Sequence, residues 1–291
     1  MGSSDFSSSP AKLLLFGEYV ILAGSEALAI PLSGFQTSWR PGPDFDAQYD
    51  LPQFASFLEN LNLPFEFDHE GLRQALHAGW FMDSNIPQGY GLGSSGAVVA
   101  TLLKQFAAGI DTTDIAALQK TLAMIESYFH GTSSGLDPLV CFLEQPIWVR
   151  GKEKIEIPKS PSKALLKKFF LLDSGKPRRT APLVSKFNQN LKDPGFKKII
   201  EEDLVSAQNL AILSFFKEDF ESLHHDIGEI SAIQRAYFKD MILPEHLDLW
   251  DKGLETGDFY LKLCGAGGGG FVLGFTNGEK PKVPENLIDL I

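Results

Sequence analysis

The amino-acid sequence predicts a protein of the α+β class in two domains. Apolar, strand-like runs alternate with helical segments along the chain, and two glycine-rich stretches interrupt this alternation. A polar, proline-containing stretch at 158–162 has the composition of a linker, so we expect one domain over 1–160 and a second over 161–291. The 291 residues, 44% of them hydrophobic, are enough to fill both cores.

Each predicted element rests on its pattern of apolar residues. Short apolar runs bounded by turn residues predict strands at 11–16, 19–22, 28–30, 146–149, 155–157, 169–172, 259–264 and 271–275. Helical spacing, or helix-forming residues without a breaker, predicts helices at 53–61, 72–81, 97–108, 114–129, 196–216 and 220–241. The remainder of 33–65 is expected to form loops and edge elements, and the serine-rich residues 1–9 a loose end.

Charge and cysteine content narrow the class of partner. The chain has 26 basic and 37 acidic residues, and its net charge of −11 argues against nucleic acid or an anionic membrane as the main partner. Cys141 and Cys264 form neither a disulfide framework nor a metal-binding spacing, which favours a reducing cytoplasm. The apolar segment 11–32 contains Lys12 and two glutamates, so we expect no membrane span there.

The stretch 85–96 packs four glycines and two serines against the start of a helix. A helix N-terminus offers unpaired amide donors and partial positive charge, and glycines allow a phosphate close to the backbone. A serine-capped turn is the alternative. A dinucleotide-binding fingerprint fits poorly, because no apolar strand precedes Asp111, 18 residues after Gly93. The second glycine-rich stretch, 265–270, leaves only 21 residues after it, too few for such a unit.

Three segments together, 10–19, 87–96 and 262–270, resemble in order and spacing the three motifs of the GHMP kinase family. That family includes galactokinase, homoserine kinase, mevalonate kinase and phosphomevalonate kinase. The segment 126–137, with a glutamate followed by His-Gly-Thr-Ser-Ser-Gly-Leu-Asp, is most similar to the mevalonate kinase branch, and 173–180 is more loosely similar to it. The resemblance implies an N-terminal domain like domain 2 of ribosomal protein S5 and a ferredoxin-like C-terminal domain.

The resemblance also implies an ATP- and Mg²⁺-dependent kinase that phosphorylates the hydroxyl of a small molecule, most readily mevalonate. Asp137 would accept the hydroxyl proton and Lys12 would stabilise negative charge beside it. Ser95 and Glu126 offer hard oxygen ligands for Mg²⁺. Backbone groups around the nucleotide phosphates would come from Gly91, Leu92, Gly93, Ser94, Ser95, Gly265, Gly267 and Gly268. The sequence leaves open whether two copies of the chain form a homodimer.

Residue type alone favours other roles for several of these side chains. Lys12 would be a buried partner of Glu18, and Glu126 would be an exposed helix residue. His130 would have a structural role as a cap at the end of a helix. Arg178 and its neighbour Arg179 are either solvated charges or contacts for an anionic substrate.

The chain departs from the mevalonate kinase pattern at three positions. Cys264 stands in place of threonine or serine, Tyr19 in place of histidine, and Gly96 in place of alanine. Phosphomevalonate or a sugar is therefore the alternative acceptor, and a catalytically inactive metabolite sensor is the rival function. The four polar residues with implied catalytic and metal-binding roles argue against the sensor.

Overall fold

The computed structural model of the chain describes residues 6–23, 25–42, 49–151, 154–281 and 287–291. Residues 1–5 of the expected loose end and 43–48 of the expected loops lie outside the described residues. The strands are Ser8–Phe16 (β1), Ala27–Pro41 (β2), Glu66–Phe67 (β3), Trp80–Ser84 (β4), Ala107–Ala108 (β5), Ile147–Arg150 (β6), Lys154–Glu156 (β7), Phe169–Asp173 (β8), Phe259–Leu263 (β9), Phe271–Thr276 (β10) and Leu287–Asp289 (β11).

Helices lie between these strands along the chain. The α-helices are Leu51–Glu59 (α1), His69–His77 (α2), Ser94–Phe106 (α3), Ile115–His130 (α4), Leu136–Leu143 (α5), Lys163–Leu166 (α6), Thr180–Asn190 (α7), Pro194–Lys198 (α8), Val205–Lys217 (α9), Phe220–Tyr237 (α10) and Pro244–Thr256 (α11). Short 3₁₀ segments cover Val20–Ala23 and Lys239–Met241, and a π-helical segment, Ile199–Leu204, joins α8 to α9. No helix in the described ranges is long and apolar enough to cross a bilayer.

The strands form two main sheets. One sheet has the order β1-β2-β6-β7, with β4 also paired to β2, and the other has the order β11-β8-β10-β9. In the second sheet each neighbouring pair is antiparallel, and Leu273 of β10 lies opposite Leu171 of β8 and Lys262 of β9. β3 and β5 form a separate two-stranded ladder.

Two compact units can be distinguished, each built from three segments. The first unit comprises 1–12, 30–87 and 92–147, and the second comprises 13–29, 88–91 and 148–291. Trp39 and Phe54 are fully buried in the first, and Phe169, Phe215 and Trp250 in the second. The division into domains at residue 160 stays a prediction.

Several predictions of local structure are wrong. The helix expected at 97–108 ends at Phe106, and residues 107–108 form β5. The strand expected at 19–22 is a 3₁₀ turn, because Tyr19 has a left-handed φ of 66° that ends the extended backbone. Part of the expected loop region is strand, since β2 continues to Pro41. The helix expected to reach residue 81 ends at His77, and residues 80–84 pair with β2 as β4.

Close packing between α3 and α5 explains why glycine stands at position 96. A Cβ atom on Gly96 would lie 2.6 Å from the backbone nitrogen of Pro138 and 2.7 Å from the carbonyl carbon of Asp137. Backbone atoms cannot give way at these distances, so any side chain would force the two helices apart. Gly96 therefore allows the first turn of α5, which carries Asp137, to lie directly against α3.

Candidate active site

Lys12 and Asp137 form an ion pair in the first unit. The Lys12 Nζ lies 2.7 Å from the Asp137 Oδ1, and the two side chains are 8% and 32% exposed. The backbone NH of Lys12 donates to the carbonyl of Leu92, at 2.8 Å, which ties β1 to the first glycine-rich stretch. Asp137 is the second residue of α5, where the helix dipole also favours a negative charge. Lys12 thus pairs with the residue implied by the family resemblance and not with Glu18.

A buried carboxylate lies against the start of α3. The Ser95 hydroxyl donates to the Glu126 Oε1 at 2.8 Å, and the Ser133 hydroxyl donates to Oε2. Glu126 is only 4% exposed, so its assignment from residue type as an exposed helix residue is wrong. Burial raises the pKa of the Glu126 carboxyl, and the charge of Asp137 raises it further, whereas the two hydroxyls and Lys12 act in the opposite direction.

His130 contacts the same serine from the end of α4. Its Nε2 lies 3.0 Å from the Ser95 Oγ. Because the Ser95 proton is donated to Glu126, the serine oxygen can accept a hydrogen bond from a protonated Nε2. His130 therefore lies where it orients Ser95, and the structural role expected for it stays a prediction. Ser133 was not among the predicted site residues, although the glycine-bounded loop 131–135 that carries it is visible in the sequence.

Ser95 and Glu126 place two hard oxygen donors side by side. Neither the first unit nor the rest of the described chain contains a group of three or more His, Cys, Asp or Glu side chains arranged to hold a metal ion. Mg²⁺ is commonly bound by one or two protein oxygens together with substrate phosphates and water. The residues present fit that kind of shared site and do not fit a metal site made by protein side chains alone.

The α3 N-terminus lacks a side-chain cap. Gly93 is the N-cap residue, with φ of 68°, and it has no side chain to bond the amides of the first turn. Ser94 and Ser95 begin the helix, so their amides are among those that a helix leaves without an internal partner. The predicted phosphate-binding residues of this stretch thus supply amide donors and the positive end of a helix dipole.

The second glycine-rich stretch, Gly265–Gly270, joins β9 to β10 in the second unit. The amide of Gly268 donates to the Met241 carbonyl and that of Gly270 to the Lys176 carbonyl, each at 2.7 Å. Gly268 is therefore a less suitable phosphate donor than the sequence predicts, since its amide is already used. No described residue accepts a hydrogen bond from the amides of Gly265, Ala266, Gly267 or Gly269.

Arg178 lies between glycines of the two predicted stretches. A Cβ atom on Gly91 or on Gly265 would overlap the Arg178 guanidinium, so this group occupies the space that the missing side chains leave. The Arg178 backbone NH donates to the Gly89 carbonyl at 2.9 Å. Within the described chain the guanidinium makes no ion pair or hydrogen bond, whereas Arg179 is simply exposed. The sequence alone gave no reason to assign different roles to Arg178 and Arg179.

Comparison with known proteins shows that the sequence is similar to kinases of the GHMP type. Residues 57–145 match the family described as GHMP kinases N terminal domain. The mevalonate kinase of Archaeoglobus fulgidus is 27% identical over 284 residues, which are 94% of this chain and 93% of that protein.

Solved structures share the fold at lower identity. The L. major mevalonate kinase in complex with R-mevalonate is 17% identical, with a TM-score of 0.66 over 95% of this chain and 88% of the other. A Streptococcus pneumoniae phosphomevalonate kinase in complex with phosphomevalonate and AMPPNP is 16% identical, with a TM-score of 0.63 over 94% and 92%. The Methanococcus jannaschii mevalonate kinase is 19% identical, with a TM-score of 0.61 over 95% and 92%.

Proposed function

We infer that this chain, a member of the GHMP kinase family with the α+β fold that the sequence predicted, phosphorylates the hydroxyl of mevalonate at the expense of ATP. The relative of similar length is named a mevalonate kinase, and so are two of the structures that share its fold. The observation that carries the proposal is the ion pair between Lys12 and Asp137, because Asp137 belongs to α5, the helix that packs against the uncapped start of α3.

Asp137 is suited to accept a proton. The Asp137 Oδ1 is paired with the Lys12 Nζ, and no described residue donates a hydrogen bond to the Asp137 Oδ2. In the proposed reaction the acceptor O–H bond breaks and its proton passes to Asp137. The oxygen then bonds to the terminal phosphorus of ATP as the bond to the bridging oxygen breaks, releasing ADP. Lys12 stabilises the negative charge that develops on the attacking oxygen.

Magnesium is the proposed metal cofactor. Ser95 and Glu126 would hold it together with phosphate oxygens of ATP, and the ion would neutralise charge on the phosphates. The amides of Gly93, Ser94 and Ser95 would bind the nucleotide phosphates, with Gly91 and Leu92 forming the approach to the helix. Gly265 and Gly267, whose amides have no partner in the described chain, would contribute from the second glycine-rich stretch.

The mechanism is tested by Asp137→Asn. Asparagine keeps the size of the side chain but cannot take up the proton, so we expect turnover to fall by about 10²–10⁴-fold. Affinity for ATP, measured by calorimetry, should change little. Asp83→Asn is the matched control, because Asp83 is an ion-paired carboxylate of the same unit that contacts Arg40 at 3.4 Å on the surface. Turnover by Asp137→Asn at the rate of the control variant would refute the assigned role.

Arg178 supports an acceptor that carries an anionic group. Mevalonate has a carboxylate, which pairs well with a planar guanidinium, whereas galactose has no charge. We therefore propose that Arg178 binds the acceptor carboxylate. Removing the charge by Arg178→Gln should raise the KM for mevalonate by about tenfold or more, as expected for a lost charged hydrogen bond, and by a larger factor than it raises the KM for ATP. Arg179→Gln is the control and should change neither constant.

Acceptor identity is decided by an ADP-release assay over mevalonate, phosphomevalonate, homoserine and galactose. Release with mevalonate at the highest kcat/KM supports the proposal, and preference for another acceptor would replace mevalonate. Absence of release with all four would favour the sensor. We also propose a cytoplasmic location, which is supported by the two buried cysteine thiols, because neither is part of a disulfide. A homodimer stays a prediction.

A further inference from the structure

Tyr19 has a backbone conformation that aromatic residues rarely adopt. Its φ is 66°, and its side chain is buried, with the residue only 7% exposed. A left-handed conformation at a non-glycine residue persists only where its surroundings impose it, and such residues concentrate at functional sites. Tyr19 directly follows Glu18 in the first of the three motifs, so the contacts of both residues show what imposes this conformation.

Glu18 is fixed by a buried polar network in the second unit. Its Oε1 lies 2.8 Å from the Lys262 Nζ and accepts hydrogen bonds from the side-chain amides of Gln208 and Gln234, at 2.9 and 2.7 Å. The Gln208 Oε1 also accepts from the amide of Gly17, at 3.1 Å. Lys262 belongs to β9, which leads into the second glycine-rich stretch. Gly17 and Glu18, the two residues before Tyr19, are therefore anchored to β9, α9 and α10.

The Tyr19 side chain reaches the glycine-rich stretch itself. Its hydroxyl donates to the Ala266 carbonyl at 2.6 Å, and its ring packs against Phe187 and Phe238 with centroid distances of 4.5 and 5.4 Å. Burial raises the pKa of the phenol, and the charge of Arg178 offsets only part of that rise. The hydroxyl thus keeps its proton, and with it the capacity to donate, over the whole physiological range of pH.

We propose that Tyr19 is a positioning residue that holds the stretch Gly265–Gly270 in one conformation before the nucleotide binds. Five of these six residues are glycines, which lose more conformational freedom on ordering than any other residue. A stretch that had to order at the moment of binding would bind phosphate more weakly. The amides of Gly268 and Gly270 are bonded elsewhere, and the Tyr19 hydroxyl secures the Ala266 carbonyl between Gly265 and Gly267.

This inference rests on the proposed function only in naming the nucleotide as the ligand. Tyr19→Phe removes the hydroxyl and keeps the ring, and Tyr260→Phe is the matched control. Tyr260 lies in β9 of the same unit, and its hydroxyl forms no hydrogen bond with the described residues. Backbone hydrogen exchange, read on peptides that cover 265–270, measures the order of the stretch without any ligand. Calorimetry with ATP and with adenosine measures its consequence for phosphate binding.

We expect exchange at 265–270 to rise about fivefold in Tyr19→Phe, the amount that one net hydrogen bond accounts for, and not in Tyr260→Phe. Affinity for ATP should fall by a similar factor while affinity for adenosine is unchanged, a split that general destabilisation would not produce. Unchanged exchange overturns the inference. Faster exchange with unchanged affinity for ATP overturns the link to phosphate binding. Neither result affects the proposed kinase activity, which fails separately if the wild-type protein releases no ADP.

Discussion

Glu126→Gln should make the protein more stable and inactive at the same time. Glutamine has nearly the same shape and can keep hydrogen bonds to Ser95 and Ser133, but it carries no charge. In the wild-type protein the charged form of Glu126 is disfavoured by burial and by Asp137. A carboxylate maintained at such a cost for stability is typical of a group whose charge is needed for function.

The sign and size of the effect follow from proton linkage. Because the pKa of Glu126 is raised in the folded state, the folded protein holds a proton that the unfolded chain loses near pH 4.5. Below that pH Glu126 is protonated in both the folded and the unfolded protein, so Glu126→Gln has no advantage in free energy of unfolding. As the pH rises from the unfolded pKa to the raised folded pKa, wild-type stability falls by about 1.4 kcal/mol for each unit of the shift. Above the folded pKa the difference is constant.

Thermal unfolding between pH 4 and 9, without nucleotide, measures this difference. For a chain of this size about 1 kcal/mol corresponds to roughly 2–4 °C. The melting temperatures of the two proteins should coincide near pH 4, and the variant should have the higher melting temperature at pH 8. At a concentration 100 times the Kd of the wild-type protein, MgATP should stabilise the wild-type protein by about 2.7 kcal/mol. At the same concentration it should stabilise the variant by clearly less. A separation that does not change with pH, or a variant that is less stable at pH 8, would refute the reasoning.

Three further substitutions test the remaining roles. Lys12→Met should lower kcat by about 10²–10³-fold in a coupled assay, because Asp137 and the attacking oxygen lose their cation; a loss confined to KM would contradict this role. Cys264→Ser should retain kcat within about threefold, since the Cys264 Sγ already donates to a backbone carbonyl as a hydroxyl would, and a tenfold change would show that this position matters chemically. Gly91→Ala should raise the KM for mevalonate as Arg178→Gln does, because its Cβ would displace the guanidinium; an unchanged KM would remove Arg178 from the acceptor site.

Sequence periodicity located α3, α4, α9 and α10, and it missed three helices that share one feature. The helix predicted at 114–129 is α4, Ile115–His130, and the Asp114 side chain caps it by accepting from Ala117. The helices α5, α7 and α11 each carry a proline in the first turn, at 138, 182 and 244. Proline predicts a turn in most contexts, yet the first helical turn tolerates it because the missing amide would have no partner there.

The candidate site was predictable only where a local pattern marks it. Glycine content and helix onset identify the stretch around Ser95, but the contacts of Ser133 with Glu126 and of Arg178 with Gly265 depend on how distant segments pack. A lysine in an apolar strand gives no indication of which carboxylate it meets. The resemblance to a family supplied Asp137 as the partner of Lys12, and the geometry brings these two side chains together.

Lys12 and Lys262 are both buried but differ in how many of their ammonium protons remain available for a ligand. This difference distinguishes a lysine with a catalytic role from one with a structural role. The Lys262 Nζ donates to Glu18 and to the carbonyls of Leu15 and Leu263, at 2.8, 2.8 and 2.6 Å, so its three protons are all used. The Lys12 Nζ has Asp137 as its partner, and no other described residue accepts from it. Two of its protons are therefore free for phosphate or for the attacking oxygen. Lys262→Met should consequently act mainly on stability and Lys12→Met mainly on turnover, although both substitutions remove a lysine that lies within 3 Å of a carboxylate.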